Sequence, residues 1–235
     1  MEVRGLRRCT ECDHRWSYFE TGSAACPSCG SLRSVSVDDE AALHTDVPVA
    51  LDLAPVRSML DDRPLPEVAD AARSTAREYV RSRGFVAAGE LLDLDGTVFA
   101  AAELGHAGDH LRRSLSVDEP TEAYFLALLA GAEAGDRPDS IPVDLRWARG
   151  LAASDVVGAY RRDLGKWLGE APRPAVRPVI DLLRSHERRI DALDGAVPPA
   201  DAEALVSAAS DIGSYLREGD EAALERAEER LSRLG

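Results

Sequence analysis

The sequence predicts two differently built parts: a small β segment over residues 1–37 and an all-α, helical-bundle-like domain of about seven helices over residues 49–235. All four cysteines of the 235-residue chain lie in the first part. Residues 1–37 hold five basic and four acidic residues, whereas residues 38–235 hold 23 basic and 38 acidic residues. Apolar side chains alternate along the first part and recur at helical spacing along the second. The acidic, turn-like stretch 38–48 between them is interpreted as a linker.

Short strands are expected in the β segment because its apolar, aromatic and β-branched residues alternate with polar ones. The predicted strands cover residues 3–8, 14–20 and 31–37. Along the second strand, HRWSYFE, alternation places Trp16 and Tyr18 on one face and Phe19 on the other.

Seven helices are predicted after the linker from apolar stripes that recur every three to four residues. They cover approximately residues 68–83, 97–115, 120–132, 154–168, 179–193, 199–218 and 220–234. Gly84 is interpreted as the residue that ends the first of these helices, Pro120 as a first-turn residue and Ser154 as an N-cap. The connections are short and contain glycine and proline, which favours a bundle-like packing of neighbouring helices.

The cysteines form two pairs with the same internal spacing. Cys9 and Cys12 are separated by two residues, as are Cys26 and Cys29, and thirteen residues lie between the pairs. Two such turns can direct four sulfur atoms at one ion in a tetrahedron, with metal–sulfur distances of about 2.3 Å. The spacing therefore predicts one structural Zn²⁺ ion held by all four cysteines. An iron site of the same geometry, free thiols or disulfides are the alternatives.

This segment resembles the zinc ribbon of the type found at the N-terminus of archaeal transcription factor B. The resemblance rests on the four cysteines, the CPSCG sequence of the second pair and the HRWSYFE strand. It implies a ribbon fold with bound zinc and a surface for a protein, DNA or RNA partner. As a whole, the chain resembles a haloarchaeal family of ribbon-plus-helices proteins, which implies no activity.

Five residues of the ribbon are candidates for binding a partner: Arg7, Arg8, Arg15, Trp16 and Tyr18. The aromatic rings could stack on bases, or they could form the small core of the ribbon. The arginines could contact phosphate or an acidic protein surface, or could lie on a solvated strand edge. A role in nucleic-acid binding would require Arg7, Arg8 and Trp16 to be exposed on one surface.

A metalloenzyme is a further alternative. Glu103 and His106 have the E-x-x-H spacing, and His110 follows one helical turn later, so a metal could bind on one helix face. Rubrerythrin-like enzymes combine such a helical metal site with a ribbon, but they need a second E-x-x-H, which this sequence lacks. Residues 93–97 (DLDGT) resemble the nucleophile motif of haloacid-dehalogenase-type phosphatases, but no buried strand precedes them, so Asp95 and the two residues after it are interpreted as a turn and helix start. Because no P-loop, dinucleotide-binding or G-x-S-x-G motif occurs either, the sequence predicts no enzymatic activity.

The acidity of the chain is interpreted as an adaptation to concentrated salt. The formal net charge is −14, and Lys166 is the single lysine beside 27 arginines. The longest strongly apolar run, residues 123–132, is half of what a bilayer requires, and the first residues contain no apolar signal region. We therefore expect a cytoplasmic, halophilic protein without a membrane partner.

Together these observations predict a zinc-binding, non-enzymatic adaptor or regulatory protein whose ribbon presents a binding surface. A protein partner is favoured because the acidic helical part would repel phosphate. A transcription-type regulator associated with DNA or RNA is the alternative. No motif identifies a small-molecule substrate.

Overall fold

The computed structural model describes residues 1–38, 40–169 and 174–234. Short strands surround the cysteines near the N-terminus, and helices make up most of the described residues after them. The arrangement agrees with the prediction of a small β region followed by a helical domain.

The β region, here called the ribbon, is built around a three-stranded antiparallel sheet with the strand order β3-β2-β4. Its strands are β2 (Leu6–Cys9), β3 (Arg15–Ser17) and β4 (Ser34–Ser36). A second, two-stranded pairing joins β1 (Glu2–Val3) to β5 (Ala42–Leu43). The strand predicted over residues 3–8 is thus divided between β1 and β2.

The strand predicted over residues 14–20 is wrong beyond its middle. Strand β3 ends at Ser17, and a single helical turn, α1 (Tyr18–Thr21), follows it. The backbone N–H of Tyr18 donates to the carbonyl oxygen of Gly5, the residue opposite it in the register of β2 and β3, and the chain leaves the sheet in the helical turn that follows. Gly5 has no side chain, and the Phe19 ring occupies the space where one would lie. Alternation therefore does not describe the positions of Tyr18 and Phe19.

The described residues of the segment predicted as a linker contact both the ribbon and the helical part. Strand β5 lies within it, and the buried His44 ring packs against Phe19 of the ribbon with a centroid distance of 4.9 Å. Burial lowers the pKa of His44, which favours the neutral form of its ring. Two residues later, Asp46 forms an ion pair of 2.8 Å with Arg83 of the helical part. This segment therefore connects the ribbon to the helices through specific contacts.

Nine α-helices occur in the described residues, and the seven longest agree with the seven predicted from apolar periodicity. These are α3 (Leu65–Ser82), α4 (Gly96–Arg113), α5 (Glu119–Gly131), α6 (Arg146–Leu168), α7 (Arg177–Ala192), α8 (Pro199–Glu218) and α9 (Glu221–Arg233). The five-residue helix α2 (Ala54–Ser58) and a hairpin of β6 (Val86–Ala87) and β7 (Glu90–Leu91) were not expected from the sequence. Helix α4 packs against α3, α5 and α6, and its residues Phe99, Leu104 and Leu111 lie in the common core.

Helix α6 begins at Arg146, eight residues before the predicted start at Ser154. Ser154 is not an N-cap, because it lies inside the helix and is buried. Its hydroxyl contacts the Asp191 carboxylate at 2.5 Å and the Glu187 carbonyl oxygen at 3.2 Å. The side chain thereby joins α6 to α7. Gly84 does follow α3, but its role is spatial: a side chain there would overlap the backbone of Thr45.

Two glycines of α6 allow a matched test of this packing. At Gly150, a Cβ atom would overlap the carbonyl oxygen of Gly195 in the loop between α7 and α8, whereas at Gly165 no atom of the described residues lies within 4 Å of that position. We expect Gly150→Ala to lower the free energy of unfolding by about 1–3 kcal/mol through overpacking. Gly165→Ala should raise it by up to about 1 kcal/mol, because alanine favours the helix. Urea denaturation checks both, and equal effects would contradict the close approach at Gly150.

Within the described residues, no helix combines the length and the apolar character needed to cross a membrane.

Candidate metal centre

The four predicted cysteine ligands converge in the structure. The sulfur atoms of Cys9 and Cys29 are 3.6 Å apart, those of Cys12 and Cys26 are 3.6 Å apart, and those of Cys12 and Cys29 are 3.5 Å apart. All four lie within 4.8 Å of one another. Four sulfurs at about 2.3 Å from a central ion would have edges of about 3.8 Å, so the cluster has the size of a tetrathiolate metal site.

Two tight backbone turns bring the cysteine pairs together. In the first, the N–H of Cys9 donates to the carbonyl oxygen of His14 at 2.9 Å. In the second, the N–H of Cys26 donates to the carbonyl oxygen of Ser31 at 2.9 Å, and Gly30 donates back to Cys26 at 2.8 Å. Gly30 has a φ of 72°, a conformation that glycine adopts without strain. The backbone conformation at this position therefore explains why the CPSCG sequence ends in glycine.

The electrostatics of the cluster favour a bound cation. Burial would raise the pKa of Cys9, but the backbone N–H groups of Glu11 and Cys12 stabilise its thiolate and lower the pKa to about 7. At Cys29 the N–H of Ser31 acts to lower the pKa, yet the neighbouring thiols of Cys12 and Cys9 raise it to about 12. Four ionised sulfurs at this spacing repel one another, so a divalent ion is needed to hold all four as thiolates.

The ligand set indicates what such an ion could do. Four cysteines complete a tetrahedron and leave no position for water or substrate, which is the arrangement of structural zinc sites. Cys9 and Cys26 are buried, whereas Cys12 and Cys29 are exposed. Among the described residues, this is the one group of candidate metal ligands that lies close enough together.

The sheet register separates the other ribbon candidates onto two faces. Arg7 lies directly opposite Trp16, and Arg8 lies directly opposite Arg15. Because paired residues of a sheet share a face and successive residues alternate, Arg7 and Arg8 point to opposite sides. Trp16 is only 6% exposed, and its indole N–H donates to the carbonyl oxygen of Ser23 at 3.1 Å. The requirement that Arg7, Arg8 and Trp16 share one exposed surface is therefore not met.

Trp16 belongs to the core of the ribbon, where it packs with Cys9 and Cys26. Its burial removes it from the set of residues that could stack on a partner. Tyr18 is half-buried and lies 6.0 Å from His44, edge to face, so it contributes to the contact with the β5 segment. The Arg7 guanidinium donates to the Ser34 hydroxyl at 3.0 Å across the sheet.

The opposite side of the sheet carries an exposed surface, which we call the basic face. It consists of Leu6, Arg8, Arg15 and Val35. Arg8 pairs across the strands with both Arg15 and Val35. Leu6 and Val35 are 38% and 42% exposed. These two apolar residues were not among the candidates named from the sequence, although their alternation with Arg7 and Ser34 was a usable signal.

The second candidate metal site, on α4, is not assembled. Glu103 is completely buried, and its carboxylate accepts hydrogen bonds from Tyr124 and, at 3.0 Å, from Arg149. His106 faces elsewhere and contacts the Asp155 carboxylate at 2.8 Å. His110 lies beside the Trp147 ring, with a centroid distance of 6.2 Å.

The buried Glu103 carboxylate is the centre of a network of ionic and polar groups. Arg149 also contacts Glu203 of α8 at 3.1 Å, and Arg137 lies 3.7 Å from Glu103. Burial and the Glu103 charge raise the pKa of Tyr124, which keeps its hydroxyl protonated as a donor. The network joins α4, α5, α6 and α8 and leaves Glu103 no free position for a metal.

A protein-family profile described as "Family of unknown function (DUF7117)" matches residues 1–231 of the chain. No curated protein and no solved structure matches the chain.

Proposed function

Since the chain belongs to this family of unknown function, its role has to be inferred from its own residues, and we propose that it is a non-enzymatic adaptor whose zinc-stabilised ribbon binds an acidic protein. The cysteine cluster supports metal binding. A closed tetrathiolate site supports a structural zinc ion in particular, because no ligand position remains for chemistry.

The observation that carries the proposal is the pairing of Arg8 with Arg15 on the basic face. Like charges directly opposite each other destabilise a sheet, and the cost persists unless an anion neutralises them. In the part of the chain that the structure describes, neither arginine forms a salt bridge, although the chain contains 42 acidic residues. An acidic surface on a partner would supply the missing counter-charge.

A protein partner fits this face better than a nucleic acid does. Leu6 and Val35 add exposed apolar surface beside the arginines, which suits a protein interface with an apolar centre. Trp16, the residue best suited to stack on a base, is buried. In addition, residues 38–235 carry 38 acidic against 23 basic residues and would repel a phosphate backbone that extends beyond the ribbon.

The experiment compares two double charge reversals in the full chain. Arg8→Glu with Arg15→Glu alters the basic face, and Arg184→Glu with Arg188→Glu is the matched control. The control arginines are also exposed and lie one helical turn apart on α7. Each tagged variant is purified from the cells of origin at their native salt concentration, and the associated proteins are identified by mass spectrometry. Zinc content confirms that each ribbon is intact.

We expect the Arg8/Arg15 variant to recover the partner at least about tenfold less efficiently, because two interfacial charges become repulsive. The control should recover it normally. Equal recovery by both variants would refute the role of the basic face. Loss of the partner from the wild-type protein after nuclease treatment would favour the alternative of a DNA- or RNA-associated regulator.

A further inference from the structure

A cleft in the helical domain has a chemistry that the adaptor role does not explain. It encloses about 950 Å³ and lies over α4, between α3 on one side and α6 on the other. Its floor is made of short side chains, Ala101, Ala102 and Gly105 of α4. Thr45 and Gly84 close one end, where the β5 segment meets the helices. Ligand-binding pockets in proteins commonly have volumes of roughly 300–1,000 Å³.

The two walls of this cleft present cations at one-turn intervals. Arg73, Arg77 and Arg81 follow each other at four-residue spacing along α3, and Arg162 and Lys166 do so along α6. Residues four apart in a helix lie on the same face, so each helix contributes a row of positive charge.

Basic residues outnumber acidic residues in the lining of the cleft, whereas acidic residues outnumber basic ones in residues 38–235 as a whole. Six of the 23 basic residues of residues 38–235 line it, but only three of the 38 acidic residues do. The basic lining residues are Arg73, Arg77, Arg81, Arg83, Arg162 and Lys166, and the acidic ones are Glu78, Asp155 and Asp163. A chance distribution on so acidic a surface would place more carboxylates than guanidinium groups here.

Three of the arginines keep unneutralised charge. Arg81 and Arg162 form no salt bridge with any residue that the structure describes. Arg77 reaches Asp109 only at 4.0 Å and is 46% exposed. Asp109 is already neutralised, at 2.8 Å, by Arg112. The unneutralised guanidinium groups therefore come from both walls, two from α3 and one from α6.

We propose that this cleft binds a small molecule carrying a polyphosphate group. Guanidinium groups offer paired N–H donors that match phosphate oxygens, and arginines from two helices can hold successive phosphates. The described lining contains no Phe, Tyr or Trp, and His106 is its one aromatic side chain, so the arginines dominate the lining and the anionic group of the ligand is the part that they bind. Inorganic polyphosphate and nucleoside triphosphates share this group.

A nucleic acid is a poorer occupant of the same site. Its phosphate chain would continue past the cleft onto a surface where acidic residues dominate. A compact polyanion places all of its charge inside the cleft and avoids this repulsion.

The test measures binding by isothermal titration calorimetry to the full, zinc-loaded chain. The probes are inorganic tripolyphosphate, ATP and a 20-nucleotide single-stranded RNA at one ionic strength. The variant Arg81→Gln with Arg162→Gln removes two unpaired charges, and Arg184→Gln with Arg188→Gln is the control outside the cleft. Because Arg81 and Arg162 are exposed, thermal melting should show that the variant stays folded.

We expect saturable binding of tripolyphosphate with one site per chain. The cleft variant should bind it at least about tenfold more weakly, since each charged hydrogen bond lost carries roughly that factor, and the control should bind as the wild type does. If ATP binds more tightly than tripolyphosphate, the ligand is a nucleotide. If the two bind equally, the cleft recognises the polyphosphate group that they share. The proposal is overturned if neither tripolyphosphate nor ATP binds, if the variant binds as well as the control, or if the RNA binds in preference to both.

Discussion

Replacing Cys26 with serine is expected to abolish metal binding and unfold the ribbon while α3–α9 remain folded. The buried apolar cluster of the ribbon consists of Cys9, Trp16 and Cys26, so two of its three members belong to the candidate metal site. A core of this size cannot offset the entropy of ordering the strands without the ion. Structural zinc contributes about 10–16 kcal/mol of apparent binding free energy in small zinc domains, far more than this cluster can. The helical core is a separate cluster and does not include these residues.

Metal analysis and limited proteolysis of the full chain check this expectation. Wild-type protein should hold one zinc ion and resist cleavage before residue 38, whereas the Cys26→Ser protein should hold none and be cut there. Ser28→Ala is the control, because Ser28 is exposed and lies in the same turn. A Cys26→Ser ribbon that stays protected would refute a structural metal site. Iron in the wild-type protein would refute the assignment of zinc.

Replacing Arg149 with methionine is expected to lower the free energy of unfolding by about 3–5 kcal/mol, because it leaves a buried carboxylate without its main counter-charge. Glu103 is completely buried, and the Arg149 side chain is 5% exposed. The more distant Arg137, 3.7 Å from Glu103, can neutralise it only in part. This is the largest effect we expect from a single substitution in the helical domain.

Urea denaturation provides the measurement, and Arg57→Met provides the comparison. The Arg57–Glu133 ion pair has a similar distance, 2.9 Å, but both side chains are about one-third exposed, so its loss should cost about 1 kcal/mol or less. Adding Glu103→Gln to Arg149→Met should restore part of the stability, since the unpaired charge is then removed. Equal losses for Arg149→Met and Arg57→Met would show that the network around Glu103 is not a buried ionic centre.

The sequence was sufficient for the features that depend on local spacing. The two cysteine pairs predicted the cluster because the ligands of each pair lie within one turn of the chain. Apolar periodicity predicted the seven long helices for the same reason. The start of α4 is local as well: the Asp95 carboxylate, a cap that was not predicted, accepts the N–H of Val98 at 3.0 Å, only three residues away.

Features that depend on distant contacts lie beyond what local spacing predicts. The predicted start of α6 lies too late because Gly150 weakens the helical signal, and the approach of Gly195, which explains this glycine, is visible only in three dimensions. The spacing of Glu103 to His106 fits a metal ligand, yet the partner of Glu103 in the structure, Arg149, lies 46 residues away. Likewise, the cations of α3 are regularly spaced in the sequence, but only the packing of α4 between α3 and α6 places Arg162 opposite them.

The single lysine of the chain allows selective chemical labelling at the cleft. Lys166 is 56% exposed, lies at the wall and contacts Asp163 at 2.8 Å. Arginine does not react with amine-directed acylating reagents, so in this 235-residue sequence Lys166 is the one side chain that such a reagent modifies. A fluorophore or crosslinker can therefore be attached beside the cleft without adding a cysteine to the four that form the cluster.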